Sequence, residues 1–220
     1  MKITALAFAA ALISLHSFSQ GMYGFEGGLG RATAGKSYTT PVFTGYVLGK
    51  LTRSFYVGAA VSYQQYSFRY SYNNSAASLT DGDIISIRNK SSYVIFSPKL
   101  DFGIGYRKYF HLHTTFGLGL LAEGYQVSNT YGTYAAAPPV STGHDTMAVY
   151  STHNLPTLLS RYTIGATWRI PTLRYWNIVV SGEYAYIPTN LSTHGPALRT
   201  NFYCFTVGIS HKYPMTFVEY

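Results

Sequence analysis

Residues 201–213 alternate without a break, and that alternation restricts what the chain can become. Tyr203, Phe205, Val207, Ile209, His211 and Tyr213 share one side; Phe202, Cys204, Thr206, Gly208, Ser210 and Lys212 share the other. A side-chain period of two is that of a β-strand. Strands in globular proteins usually run to about 5–6 residues, whereas crossing a bilayer at a tilt takes roughly 9–11. This strand is long enough to cross.

The first 19 residues read as an export signal rather than as part of a fold. Lys2 supplies a positive start, Ile3 to Leu15 form an apolar run too short to span, and Ser17-Phe18-Ser19 offers the small residues a signal peptidase reads. The expected cut lies before Gln20. What remains suits a single domain over 20–213, followed by a short tail at 214–220. No later run of about 18 apolar residues announces a spanning helix.

Composition narrows the class. Only 11% of residues are charged while 17% are aromatic, with 22 Tyr and 21 Gly. Such a chain suits a barrel in lipid better than a soluble globule. The net charge is +8, one less without Lys2, yet Arg107-Lys108 is the longest basic cluster. Nothing resembles the basic stripe of a nucleic-acid binder, so no nucleic-acid partner is expected. A single cysteine, Cys204, excludes an intrachain disulfide and reads as a small space-filler.

Alternation and turn signals predict eight strands, at about 22–30, 42–50, 55–69, 91–106, 111–127, 157–170, 177–188 and 199–213. The connections 51–54, 107–110 and 171–176 are short. Those at 31–41, 70–90, 128–156 and 189–198 are long. An even strand number with short turns on one side and long loops on the other is the pattern of an antiparallel transmembrane barrel. Both ends of the barrel then lie on the short-turn side.

Charge decides which face meets lipid. One face carries Tyr23, Phe25 and Leu29; Val42, Thr44, Tyr46 and Leu48; Phe55, Val57, Ala59, Val61 and Tyr63. It continues through Val94, Phe96, Leu100, Phe102, Ile104 and Tyr106; Leu112, Phe116, Leu118 and Leu120; Tyr162, Ile164 and Trp168. Ile178, Val180, Tyr184, Tyr186 and the Tyr203 side of the last strand complete it. That face has no charge. The opposite face holds Glu26, Lys99, Asp101, Glu123, Arg161, Arg169, Glu183 and Lys212, four acids with four bases. A lone Arg or Lys at a lipid midplane costs about 2–4 kcal/mol, so this segregation is what a lipid-facing wall requires. Tyr23, Tyr63, Tyr106, Trp168 and Tyr186 fall where interfacial aromatic girdles would lie. A soluble eight-stranded barrel would reverse the faces; low charge and long strands oppose it.

Eight strands leave an interior just wide enough for side chains to fill. Tyr56, Tyr66, Tyr125, Phe202 and the eight charges are the expected filling. Glu123 and Arg161 sit at similar depth on consecutive strands, which predicts a salt bridge between them. Pro98 lacks the N–H a central strand needs, so a bulge near Ser97-Pro98 is expected.

Candidate chemistry is sparse. His111 and His113 share a face at a spacing that grips a metal, but a third ligand is not visible and a polar plug at the barrel mouth accounts for them. His144, Asp145 and His153 share one loop and are ligand types for a transition metal. Asp81-Gly82-Asp83 falls far short of a calcium loop. Gly103-Ile-Gly105 and Gly117-Leu-Gly119 superficially resemble phosphate loops, but both lie in strands without a following helix. No catalytic, cofactor or metal residue is assigned, and no cofactor is expected.

The end of the last strand, Thr206-Val-Gly208-Ile-Ser-His211-Lys-Tyr213, resembles the C-terminal assembly signal of bacterial outer-membrane β-barrels: polar, any, Gly, two of any, apolar, any, aromatic. His211 stands where an apolar residue is usual, and a tail follows Tyr213. Residues 21–213 as a whole resemble the outer-membrane protein β-barrel domain family, the small eight-stranded barrels of Gram-negative bacteria. The Ser-Phe-Ser-Gln end of the leader looks like those of Bacteroidetes. The resemblance implies a monomeric, integral outer-membrane barrel delivered by the barrel assembly machinery and surrounded by outer-membrane lipid and lipopolysaccharide. A structural or surface-interaction role through the loops, toward an unknown surface ligand, leads. A transport component, either a narrow channel or an accessory barrel, is the alternative. Lipid A-modifying members of this class have a His/Ser or His/Asp/Ser site, often a strand-borne His-x-Ser pair; this chain has no His-x-Ser, so a lipid A-modifying enzyme is the third reading and no enzymatic activity is expected.

Overall fold

The computed structural model describes residues 20–74, 83–105, 109–131, 147–151, 156–173, 175–191 and 199–214. The leader, most of the tail, Asp81-Gly82, Tyr106, Arg107-Lys108, His144, Asp145 and His153 lie outside the described residues, as does the side chain of Tyr125. The strands are β1 (Gln20–Ala32), β2 (Lys36–Ser37), β3 (Thr39–Lys50), β4 (Phe55–Asn74), β5 (Asp83–Ile104), β6 (Phe110–Tyr131), β7 (Met147–Ser151), β8 (Leu158–Pro171), β9 (Trp176–Ile187) and β10 (Thr200–Pro214). Every pairing is antiparallel.

Eight of these strands close on themselves in the order β1, β3, β4, β5, β6, β8, β9, β10. The closing seam joins β10 to β1 from Gln20↔Pro214 to Ala32↔Phe202. The short strands β2 and β7 extend the ladder at the loop rim, against β4 and β6. The ends of β3, β5 and β8 share the opposite rim with Gln20, whose Oε1 accepts a bond from Lys50 Nζ at 2.6 Å. Several strands run further than alternation suggested: β4 reaches Asn74, β5 starts at Asp83, and β6 reaches Tyr131. Segments assigned to loops 70–90 and 128–156 are thus partly hairpin wall. Polar Ser, Asn and Tyr there hid the strands, because a strand that runs on past the apolar belt needs neither face apolar.

The wall is apolar outside and polar inside. Phe25, Leu29, Leu118, Ile164, Phe205, Val207 and Ile209 all lie about half-exposed or more on the outer surface. Water would penalise such a belt by roughly 25 cal/mol per Å², whereas lipid does not. The charges of Glu26, Lys99, Asp101, Arg161 and Arg169 are buried within. The soluble-barrel arrangement is therefore reversed. Tyr23, Trp168 and Tyr186 point outward as expected, Tyr63 is half-buried, and Tyr23 packs with His211 and Tyr213 at the short-turn rim.

β3 departs from the expected faces. Tyr46 and Leu48 are 3% and 0% exposed, with Val42 and Thr44 also buried, while Phe43 is 44% exposed. The expected outer face of this strand is the inner one. The middle of β3 carries no charge, so charge segregation had nothing to act on there. Gly24, opposite Tyr46 in the ladder, leaves the space that the tyrosine ring fills: a Cβ at Gly24 would lie 2.5 Å from Tyr46 Cζ.

The expected bulge is also displaced. Pro98 stands opposite Ala59 in an unbroken β4–β5 ladder. On the other side Phe96↔Leu118 and Lys99↔Thr115 keep one register, and the ladder simply skips Ser97 and Pro98. The register shift occurs higher, where Ser92↔Glu123 follows Tyr93↔Leu121 and Ala122 is left unpaired. One extra residue on β6 reverses the faces of everything beyond it. Gly105, expected within a strand, follows the end of β5 with φ 78°, a turn conformation that favours glycine.

Two outcomes test this architecture. Removing residues 201–220 takes β10 away and leaves β1 and β9 with unpaired edges in lipid. The truncated protein should disappear from the membrane fraction of expressing cells and be degraded, as read by immunoblot. Val207→Arg puts a cation on the outer belt at a cost of about 2–4 kcal/mol, and should sharply reduce the heat-modifiable, folded band after refolding into lipid vesicles.

Candidate functional site

The polar lumen concentrates the chain's charged chemistry. It is built from strand alternation: β5 sends Lys99 and Asp101 inward, β6 His111 and His113, β8 Arg161, Thr167 and Arg169, β9 Ser181 and Glu183, and β10 Thr206 and Ser210.

Two carboxylates organise it. Asp101 accepts from Arg169 Nη2 at 2.7 Å and from His111 Nδ1 at 2.6 Å. Glu183 accepts from Arg161 Nη2 at 2.8 Å and from His113 Nε2 at 3.0 Å. Each acid thus binds one guanidinium and one imidazole, one from the adjacent strand and the other from the strand beyond it. Arg161 also donates through Nη1 to Gln64 Oε1 at 2.8 Å, reaching across the lumen to β4. Glu26 accepts from Thr206 Oγ1 at 2.6 Å across the closing seam. Lys99, only 2% exposed, places its ammonium 4.7 Å from the centre of the Tyr46 ring, a cation–π contact in a desolvated setting.

The expected charge network needs two corrections. Glu123 is exposed, because the unpaired Ala122 turns it to the outer face beside Ser92. The predicted Glu123–Arg161 bridge is therefore absent, and Arg161 pairs with Glu183 instead. Lys212 lies opposite buried Met22 in the register but is exposed at the short-turn rim. The enclosed set is then Glu26, Asp101 and Glu183 with Lys99, Arg161 and Arg169, three charges of each sign. Charge balance survives the loss of one acid and one base.

The histidine arrangement turns on a glycine. His113, Gly165 and Glu183 stand in one cross-strand row, with the glycine in the middle. A Cβ there would lie 2.5 Å from His113 Nε2. Only an absent side chain lets the imidazole lean across a whole strand to the carboxylate. On its other nitrogen His113 accepts from Thr167 Oγ1 at 3.1 Å, which in turn lies 3.0 Å from Ser181 Oγ. Hydroxyl, imidazole and carboxylate are thus in the order of an activated nucleophile. Yet Thr167 and His113 are almost fully enclosed, and the lumen above them is filled. Among the described residues, the array is a buried hydrogen-bonded brace across β6, β8 and β9. Both histidines are buried and committed to carboxylates rather than standing together as a metal grip, and His111 lies one residue from the short-turn end of β6.

Apolar side chains close the lumen toward the loops. Tyr66, Phe68, Tyr93, Ile95, Leu159, Ile187 and Phe202 form one buried cluster, with Leu191 from beyond β9 packed into it. Asn89 Nδ2 donates to the Leu191 carbonyl at 3.0 Å and holds that segment down. Tyr66 and Phe202 meet edge to face at 5.3 Å. Cys204 fills space in the same cluster, its Sγ 3.8 Å from Glu183 Oε2. Toward the short-turn rim, Met22, Tyr46, Leu48 and Tyr56 form a second cluster. Gly117 and Gly119 face this packed interior, a Cβ at Gly117 lying 2.6 Å from Ile95 Cγ2, so neither belongs to a phosphate loop.

The residues that resemble an assembly signal have separate places in the structure. Thr206 holds Glu26; a Cβ on Gly208 would lie 2.0 Å from the Phe25 carbonyl oxygen, so the seam closes tightly only around glycine. His211 packs among Trp176 (4.7 Å), Tyr23 (5.2 Å) and Tyr175 (6.1 Å), an aromatic belt where an imidazole substitutes for an apolar residue. Tyr213 joins it through Tyr23 at 6.0 Å.

No family model and no curated protein matches the chain. Solved structures do. The attachment invasion locus protein Ail of Yersinia pestis is 12% identical, with a TM-score of 0.43 over 89% of this chain and 99% of that one. Neisserial surface protein A is 10% identical, with a TM-score of 0.40 over 88% and 97%. The N-terminal barrel domain of Pseudomonas aeruginosa OprF is 11% identical, with a TM-score of 0.39 over 87% and 97%. Likenesses of this order assign no activity, and the functional argument rests on the chain's own residues.

The lumen geometry predicts opposite outcomes for two glutamates. Glu183→Gln leaves Arg161 buried without its counter-charge, a loss of roughly 3–5 kcal/mol for a buried pair. It should lower the temperature at which the folded band is lost on heated gel electrophoresis. Glu123→Gln, on the outer surface, should leave that temperature unchanged.

Proposed function

We propose that this protein is an integral barrel of a Gram-negative outer membrane that does not conduct ions and acts through what it presents at the loop rim. The observation that carries the reading is the filled lumen. Two acid–guanidinium–imidazole clusters span its middle, and an apolar cluster anchored by Tyr66 and Phe202 seals it beneath the loops. An ion crossing this interior would have to break buried pairs and then enter a desolvated apolar layer. The outward apolar belt, the interfacial rings around His211 and the short turns at one rim support placement in a bilayer with the loops on the outer side.

With the lumen closed, the surfaces left for interaction are the loop rim and the outer wall. A structural or surface-interaction role follows, and the barrel serves as the rigid mount. The wild-type protein inserted into a planar lipid bilayer should show no steady conductance. A stable open channel would overturn this reading in favour of transport.

A further inference from the structure

Beyond the apolar belt the outer wall carries a feature the closed-pore reading does not use. In the ladder Lys36 stands opposite Arg69, and Arg69 opposite Arg88. Directly opposed residues of an antiparallel sheet share a face, so three cations lie in one row across β2, β4 and β5. All three are exposed. Like charges in this position repel, and a fold has no packing reason to align them on a surface.

Among the described residues, no carboxylate answers the row. Glu123 belongs to the Gln65–Ser92–Glu123 row, four residues lower along the strands, and Asp83 pairs with Asn74 five residues higher. At about 3.4 Å per residue each is more than 13 Å away along the strand. The row is nevertheless held in order. Arg69 donates through Nε to Ser86 Oγ at 2.9 Å, and Arg88 lies over the Tyr38 ring at 5.9 Å. Among the described residues, the terminal amino groups of Arg69 have no hydrogen-bond partner. A guanidinium fixed at Nε presents its free edge to a phosphate in two-pronged fashion.

Height selects the anion's source. The apolar belt on β4 and β5 gives way above Tyr63 and Val94, and Arg69 lies six residues further on. With a strand tilt near 40° that places the cations roughly 15 Å above the hydrocarbon edge. The headgroup layer of a phospholipid leaflet is only about 5–8 Å thick on each side. A phosphate at the level of the row must therefore be carried on a taller headgroup, such as a phosphorylated sugar.

We propose that Lys36, Arg69 and Arg88 form a site on the outer wall for the phosphate groups of a phosphorylated glycolipid in the loop-side leaflet. The site rests on the membrane placement proposed above. It makes the neighbouring lipid part of the protein's structure, bridging three strands at the rim where the β4–β5 hairpin rises out of the bilayer.

The test uses the full mature protein in detergent micelles, titrated with purified lipopolysaccharide and followed by the midpoint of heat-induced loss of the folded band. Wild type should be stabilised in a saturable manner. Arg69→Gln with Arg88→Gln should need at least tenfold more lipopolysaccharide for the same shift, while Lys50→Gln with Arg53→Gln, which removes equal charge at the opposite rim, should behave as wild type. Lipopolysaccharide stripped of phosphate, phosphatidylglycerol and inorganic phosphate should each fail to reproduce the shift. Equal response of both double variants, or an undiminished response to the dephosphorylated lipid, would overturn the proposal. So would preferential binding of phosphatidylglycerol, free phosphate or an acidic polysaccharide such as heparin. Folding of each variant is read from its own heat-modifiable band, and recovery of the wild type in lipid vesicles tests membrane placement separately.

Discussion

Pairing of β1 with β10 along its whole length, from Gln20↔Pro214 to Ala32↔Phe202, is the contact on which the rest of the structure depends. In lipid an unpaired strand edge leaves N–H and C=O groups without partners, at several kcal/mol each. Closure removes both edges at once. It also sets the diameter, and with eight strands that diameter admits side chains and little else. The filled lumen is therefore a consequence of the seam. Gly208 on β10 matters for the same reason: its missing Cβ lets the backbones of β1 and β10 approach where Phe25 and Glu26 pass.

Inside, the controlling quantity is the cost of an enclosed charge. Asp101 and Glu183 are each bound by one guanidinium and one imidazole. Four of the six enclosed charges are thereby paired, while Lys99 rests on an aromatic face and Glu26 on a hydroxyl. Buried pairs add little over an apolar filling, but breaking one is costly. This interior specifies its arrangement more than it stabilises the barrel. A strand slipped by one residue would strand these groups in lipid, so the polar lumen fixes register. Gly165 shows how far the fold depends on small details, since a methyl group there would separate His113 from Glu183.

Outside, the wall changes character with height. Rings of Tyr23, Trp176 and His211 mark the short-turn rim, aliphatic and aromatic side chains cover the middle, and Gln65, Ser92 and Glu123 begin a polar zone. Lys36, Arg69 and Arg88 lie above it. The sequence of surfaces follows the polarity of a bilayer and its headgroups, read along tilted strands.

Much of this was legible from residues alone. Alternation over 201–213 defined a strand long enough to span, and the charges on β5, β8 and β9 declared which face lay inward, because a charge facing lipid is expensive whatever its neighbours. β3 was assigned the wrong way round, since its middle has no charge for that rule to act on; Gly24 opposite Tyr46 makes room for the inward ring, and only the ladder brings those two together. Glu123 was misplaced because strict alternation assumes an unbroken ladder, and the unpaired Ala122 breaks it. Arg161 found Glu183 rather than Glu123 for the same reason, as the partner of a buried charge is set by depth and face after every register shift. The amino-acid sequence by itself determined a closed, inside-out barrel, through the period of its strands and the segregation of its charges. The tertiary structure decided which charges meet, because those pairings depend on register, and register belongs to the closed ladder as a whole.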